Sequence, residues 1–72
     1  MISWTDEAWQ DYLYWQDEDK TLKRINKLIK DIENNANLKG YYSRRIDEIN
    51  RLVYVATNDE IVIISCRYHY EK

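Results

Sequence analysis

Polar and apolar positions follow two different rhythms along this chain, and the change comes near Gly40, its only glycine. Before that point the spacing is helical. Thr5 is a good N-cap residue, and Asp6 and Glu7 follow where carboxylates suit the positive end of a helix dipole. Ala8, Trp9, Tyr12, Leu13 and Gln16 then recur at helical spacing, which predicts a first helix with an aromatic face. The acidic run Asp17-Glu18-Asp19 breaks the pattern, and Asp19 can cap a second helix. In that helix Leu22, Ile25, Leu28, Ile29 and Ile32 form an apolar stripe, with Lys20, Lys23, Arg24, Lys27 and Lys30 mostly off it. Asn34-Asn35-Ala36-Asn37 ends it, and residues 2–4 can open the chain as a short strand.

Beyond Gly40 the period is two. Residues 42–46, 52–57 and 61–70 read as three strands rich in β-branched and aromatic side chains, with Asn58-Asp59 as the hairpin turn between the last two. Helices first and strands second predict an α+β fold: two antiparallel helices packed on one face of a small antiparallel sheet, as one domain over residues 1–72. In the last strand Val62, Ile64, Cys66, Tyr68 and Tyr70 share the side expected to meet the helices. Ser65, Arg67 and His69 share the other side with Ile61 and Ile63, and that face is the expected working surface. Register decides what else reaches it. A strict two-residue loop pairs Thr57 with Glu60 and puts Arg51 on the face opposite His69, whereas a three-residue loop or one bulge puts both on the same face. A site that uses both demands the odd loop or the bulge.

Composition narrows the classes. With 44% hydrophobic and 14% aromatic residues the chain is globular rather than disordered. At 72 residues it buries only about 60% of its unfolded surface, so the core is marginal and a second copy or another partner would help to hold it. No apolar run is long enough for a membrane and nothing has a signal-peptide layout, which points to the cytoplasm. The lone cysteine, Cys66, fits a reducing compartment; its C-x-x-H spacing to His69 would put the two on opposite faces of a strand, so it reads as a small core residue. There is no P-loop, dinucleotide glycine pattern or zinc-ligand set, and no cofactor is expected. The three Trp and seven Tyr are mostly core by position, with Tyr68 and Tyr70 as exceptions able to stack on bases.

Net charge is −2 but uneven. Residues 1–19 hold six acids and no Lys or Arg, while residues 20–51 hold nine bases against four acids. That middle segment permits a polyanion partner, although an ordinary solvated helix face has the same signature. Candidate chemistry falls on few residues. His69 is the only histidine and the only side chain that titrates near neutrality unperturbed. Arg44, Arg45, Arg51 and Arg67 lie in strands, where the guanidinium fork suits phosphate, and where exposed arginine is also a routine solubility device.

Several stretches are more specific. Ile2-Ser3-Trp4, Trp9-Gln10-Asp11-Tyr12-Leu13-Tyr14-Trp15-Gln16, Lys23-Arg24-Ile25-Asn26-Lys27-Leu28-Ile29-Lys30-Asp31, Tyr42-Ser43-Arg44-Arg45-Ile46, Asn50-Arg51-Leu52-Val53-Tyr54 and the closing Cys66-Arg67-Tyr68-His69-Tyr70 occur in order over nearly the whole chain. Together they closely resemble the YoeB-type toxins of the RelE superfamily. The resemblance implies a RelE-like fold and a ribosome-dependent mRNA endonuclease, neutralised by a YefM-type antitoxin whose C-terminal segment folds onto the toxin. In such toxins the RNA 2′-hydroxyl attacks the adjacent phosphate, which needs a base for the hydroxyl, cationic donors for the phosphate and an acid for the 5′-oxygen. Carried across by position, Arg51 is the main phosphate stabiliser, Arg45 supports it, His69 is the general acid and Tyr70 orients the RNA.

The resemblance fails at one place. The family carries a Gly/Pro/Lys-rich loop ending in a Pro-Glu-Pro-Leu-Lys type motif, whose Glu is the general base. Here Glu33-Asn34-Asn35-Ala36-Asn37-Leu38-Lys39-Gly40 runs almost directly from helix to strand, about a dozen residues shorter than a loop of the kind that commonly carries catalysis, and the chain has no proline. Glu48 and Glu33 are the nearest replacement bases. Three functions stay open: the endonuclease, an antitoxin-binding module that cannot cut, and a plain RNA-binding domain using Arg44, Arg45, Arg67 and Tyr70. A homodimer or a toxin–antitoxin complex is the expected assembly.

Overall fold

The computed structural model describes residues 1–34 and 39–68 of the chain. Thr5 sets the first helix in place. Its backbone is extended and its Oγ1 accepts from the Ala8 N–H at 3.0 Å, capping α1, Asp6–Tyr14. A 3-10 turn, Trp15–Asp17, leads into α2, Asp19–Asn34. The Leu22 N–H bonds back to the Glu18 carbonyl at 2.9 Å, so Asp19 is the first helical residue rather than the cap. No helix among the described residues is long and apolar enough to cross a membrane.

Among the described residues four strands, β1 (Ile2–Trp4), β2 (Gly40–Arg45), β3 (Arg51–Ala56) and β4 (Ile61–Ser65), form one sheet in the order β1-β4-β3-β2. The pairs β2–β3 and β3–β4 are antiparallel, but β1 runs parallel to β4, so the sheet is mixed rather than antiparallel throughout. Both helices and two strands intervene between β1 and β4, and that length of chain is what a parallel neighbour requires. Gly40 enters β2 with φ +141°, a value that side-chain-bearing residues rarely adopt.

Side chains from both helices meet one face of this sheet. Ala8, Trp15, Ile25, Leu28 and Ile32 are buried against Leu52, Tyr54, Ile61, Ile63 and Cys66. The α2 stripe follows its spacing, with Leu22 and Ile29 half-buried at its margin. The aromatics depart from the core placement their positions suggest. Trp15 and Tyr54 are buried and Trp4, Tyr12 and Tyr42 pack at the edge, whereas Trp9, Tyr14, Tyr41 and Tyr68 are exposed. A domain this small has less interior than its aromatic residues could fill. Trp4, Trp9 and Tyr12 instead pack on one another at the surface, with ring centroids 4.8 to 5.6 Å apart.

The faces of β4 are the reverse of those expected. Ile61 and Ile63 point into the core, and Val62 and Ile64 lie half-buried on the other side. Cys66 is nevertheless in the core, as its small apolar character suggests. A bulge reconciles the two. The hairpin is closed by a two-residue loop, with the Thr57 N–H on the Glu60 carbonyl at 2.9 Å, and pairing runs Ala56 to Ile61, Val55 to Val62 and Tyr54 to Ile63. Val53 then pairs with Ser65, which leaves Ile64 as the extra residue and exchanges the two faces beyond it. The one-residue shift that a shared face demands is therefore present, supplied by the bulge and not by the loop.

β4 ends at Ser65, five residues earlier than expected, because α1 and the 3-10 turn after it take over the backbone groups that leave the ladder. The Cys66 N–H donates to Asp11 Oδ2 at 3.0 Å, and Trp15 Nε1 donates to the Cys66 carbonyl at 2.9 Å. Thr5 holds the strand just before: its N–H donates to the Ile63 carbonyl at 3.0 Å and its Oγ1 to the Ile64 carbonyl at 2.9 Å. Burial pushes the Cys66 thiol up to about 12, with the Asp11 charge adding to it, so it stays protonated and inert. Replacing Trp15 by Phe keeps most of the buried ring but orphans the Cys66 carbonyl. Trp15→Phe is expected to cost about 1–3 kcal/mol, read as a lower urea midpoint with an unchanged slope; a wild-type midpoint would show that this bond adds nothing.

Candidate functional site

On the side of the sheet away from the helices, strand alternation brings Tyr41, Ser43 and Arg45 of β2 beside Val55, Val53 and Arg51 of β3. Arg45 and Arg51 are direct partners across the pair. Like charges placed opposite each other repel, and neither forms an ion pair with a carboxylate among the described residues. Arg44, one position away, faces the helices, and its Nη2 lies 3.9 Å from Asp31 Oδ2. Arg51 is held at its neck: Nε donates to Ser43 Oγ at 3.1 Å, which leaves the terminal nitrogens of the fork unengaged among the described residues. Arg45 Nε donates to the Asp47 carbonyl at 3.3 Å. Ser65 lies across from Val53 on this same side of the sheet. It is 1% exposed, and its Oγ has no hydrogen-bond partner among the described residues.

Arg67 does not join the pair. Its guanidinium carbon lies 3.5 Å from the centre of the Tyr14 ring, at the end of α1, and Nη2 donates to the Tyr68 hydroxyl at 2.6 Å. The expectation that Arg67 would share the open face assumed a strand that continues past Ser65. Tyr68 instead has φ +66°, in the left-handed region, and turns the chain.

The connection between the two arginine-bearing strands is built on Asp47. Its Oδ1 accepts from the backbone N–H groups of Ile49 at 2.8 Å and Asn50 at 2.7 Å, and the Asn50 amide reaches both carboxylate oxygens at 3.1 Å. Desolvation pushes the Asp47 carboxyl up, but these donors and the Arg45 charge outweigh it and hold the group below its ordinary value. Asn50, itself buried, accepts the Tyr68 N–H on Oδ1 at 2.6 Å, and the Arg51 N–H donates to the Tyr68 carbonyl at 3.1 Å. Asp11 shifts the other way. Burial raises its carboxyl, the Cys66 N–H and Arg67 oppose the rise, and the Glu7 charge adds to it.

Of the four residues that the resemblance singles out, the structure brings Arg45 and Arg51 together. His69 and Tyr70 lie outside the described residues. The two replacement bases separate clearly. Glu33 lines a cavity with Thr57 and Glu60 at the hairpin end of β3, about 17 Å along the strand from Arg51 at the rise of an extended chain. Glu48 sits in the turn beside the arginines. Ser43, Asp47 and Asn50 escaped notice in the sequence, although Asp47-Glu48-Ile49-Asn50 carries the polar pattern of an Asx turn. No group of three or more His, Cys, Asp or Glu among the described residues could hold a metal ion.

Solved structures identify the class of fold. The YoeB dimer of Staphylococcus aureus superimposes with a TM-score of 0.83 and 41% identity, over 96% of this chain and 95% of that one. The YoeB–YefM complex of the same organism gives a TM-score of 0.84 and 39% identity, over 97% of each chain. An α+β toxin fold of this kind is what the sheet and its arginine face define. Residues 4–70 match the family described as YoeB-like toxins of bacterial type II toxin–antitoxin systems, and the chain belongs to that family. Toxin YoeB of Escherichia coli (strain K12) is 48% identical over 82 aligned residues, covering 96% of this chain and 98% of the relative. Since 96% of 72 is about 69, about 13 of those 82 positions have no residue here. Only positions 35–39 separate α2 from β2.

The two shifted carboxylates predict opposite responses to acid. Folding raises the Asp11 value, so the folded state gains stability as pH falls through that raised value. Folding lowers the Asp47 value, so its contribution is present above the unfolded value of 3.8 and is lost as pH falls through the lower folded value. At pH 7, Asp11→Ala orphans the buried Cys66 N–H and is expected to cost about 1–3 kcal/mol, while Asp11→Asn keeps an acceptor without the buried charge and should stay within about 0.5 kcal/mol of wild type. Urea midpoints across pH 3 to 7 read all of this; equal losses in the two variants would show that the charge, not the acceptor, holds Cys66.

Proposed function

We propose that this chain is a ribosome-dependent mRNA endonuclease held in check by a YefM-type antitoxin, working in the cytoplasm where ribosomes are. The observation that carries the reading is the Arg45–Arg51 pair, two guanidinium groups set directly opposite each other on the sheet face away from the helices, neither in an ion pair among the described residues. Such a pair is costly in isolation and becomes favourable when a phosphate lies between the forks. In cleavage by the RNA's own 2′-hydroxyl, negative charge builds on the phosphate, and Arg51, pre-positioned by Ser43, meets it without reorganisation. Arg45 is the second donor. His69 is bonded to the Tyr68 carbonyl carbon, whose oxygen the Arg51 N–H holds, and this tether supports its role as the acid that protonates the 5′-oxygen. Tyr70, one residue on, would orient the RNA. Glu48 is the carboxylate best placed to take the 2′-hydroxyl proton. The exposed bases of α2, Lys20, Lys23, Arg24, Lys27 and Lys30, offer a polyanion the long-range attraction that ribosomal RNA would feel.

The S. aureus relatives support the partners. One is solved as a dimer and another in complex with YefM, and the same two kinds of assembly are proposed here. The shortened connection between α2 and β2 favours a second reading, a protein that binds its antitoxin without cutting, since the family's base lies on a loop this chain does not have.

Cleavage of ribosome-bound mRNA separates the two. Wild type is expected to cut, with Arg51→Ala and His69→Gln each lowering the rate about a hundredfold or more. Unchanged cleavage in both variants would sink the mechanism. Tight antitoxin binding by a wild type that does not cut would select the second reading.

A further inference from the structure

Asn50 is a buried and fully bonded polar side chain near the arginine pair, and its place in the chain, immediately before Arg51, is informative. Every polar atom of its side chain is engaged, and in one direction only. Ionised Asp47 has acceptors and no donor, so the Asn50 Nδ2 must turn toward it. That leaves Oδ1 facing the other way, where it accepts the Tyr68 N–H at 2.6 Å. The neighbouring Arg51 N–H closes the second bond, to the Tyr68 carbonyl at 3.1 Å. Tyr68 is thus grasped on both its backbone groups at the point where φ is +66°. A side chain that must sit in the left-handed region stays there only when its surroundings over-determine it. Eighteen positions separate Asn50 from Tyr68, so the clasp joins the turn after β2 to the C-terminal end of the fold.

We propose that Asn50, oriented by Asp47, is a positioning residue: it fixes where the chain leaves Tyr68 relative to Arg51, and so the point from which the proposed acid, next in sequence, is carried. The inference rests on the reading of these residues as parts of one site. Loss of the clasp would leave the arginine pair in place and release the chain at Tyr68, the residue before the proposed acid, a change that lowers turnover more than substrate binding.

Two readouts test it. On ribosome-bound mRNA, Asn50→Ala is expected to lower kcat about tenfold or more with KM within about twofold. The double exchange Asp47→Asn with Asn50→Asp rebuilds the relay in mirror order, because the new amide donates to the new carboxylate, which still accepts the Tyr68 N–H. It is expected to recover most of the lost kcat, and Asp47→Asn serves alone if Asn50→Ala does not fold. Unchanged kcat in Asn50→Ala, or an exchanged pair that folds as well as wild type and recovers nothing, overturns the proposal. The second readout does not need activity. His69 is the only histidine, so its ring gives a single nuclear-magnetic-resonance titration curve. Arg51→Ala is expected to move that midpoint in the wild-type background and to move it far less in Asn50→Ala. A shift that is absent, or equal in both backgrounds, overturns the proposal, whereas a lost coupling in a protein that never cuts RNA keeps the positioning role and removes only the nuclease reading.

Discussion

One extra residue in β4 governs both sides of this sheet. Without the bulge at Ile64, the parity that buries Ile61 and Ile63 would send Cys66 outward and bring Ser65 into the core. With it, both isoleucines and the cysteine face the helices, and the chain beyond Ser65 departs from the ladder. A departure of this kind exposes backbone groups that must be paired elsewhere. Asp11 and Trp15 of the first helical segment take the Cys66 N–H and carbonyl, and Asn50 and Arg51 take those of Tyr68. The bulge thus converts the end of a strand into a segment fixed between a helix and the start of β3. No longer strand could be gripped from two elements in this way.

The same economy shapes the open face. A small domain has one core to fill, and here the helices, Leu52, Tyr54 and the inward residues of β4 fill it. The other side of the sheet carries buried Val53 and Ser65, half-buried Val55, Val62 and Ile64, and the arginine pair. Two directly opposed arginines repel, and a buried Ser65 hydroxyl without a partner among the described residues forgoes a hydrogen bond worth about 1–3 kcal/mol. Such costs gather where function needs them. The structure offsets them with bonds that stiffen the arginines, Ser43 on Arg51 and the Asp47 carbonyl on Arg45.

What the sequence discloses depends on the range of the interaction. The Thr5 cap, the α2 stripe and the two-residue loop at Asn58-Asp59 are set by neighbours a few positions away, and each is legible. That Arg51 and His69 can share a face only with an odd loop or a bulge is legible too, because it follows from parity; a bulge is present, and His69 itself lies outside the described residues. The location of the bulge, the end of β4 at Ser65 and the parallel pairing of β1 are decided by contacts far apart in sequence. Cys66 and Asp11 are 55 positions apart, and no local pattern announces their bond. The faces of β4 elude the sequence for the same reason, since a period-two pattern carries no mark of an inserted residue. Arg67 eludes it in turn, and only the structure shows its guanidinium on the Tyr14 ring.

The shortened connection between α2 and β2 bears on the site unevenly. It leaves from the end of α2 near the hairpin, where Glu33 shares a cavity with Thr57 and Glu60, and enters the edge strand at Gly40, paired with Ala56. Both anchor points lie at the end of the sheet away from Arg51. The arginine pair, the Asp47 turn and the Tyr68 clasp lie at the other end of the sheet. A change of length there therefore leaves the register of the arginine pair as it is. Of the two candidate bases, Glu48, two residues before Asn50 in the turn between β2 and β3, is the one whose position does not depend on the connection's length.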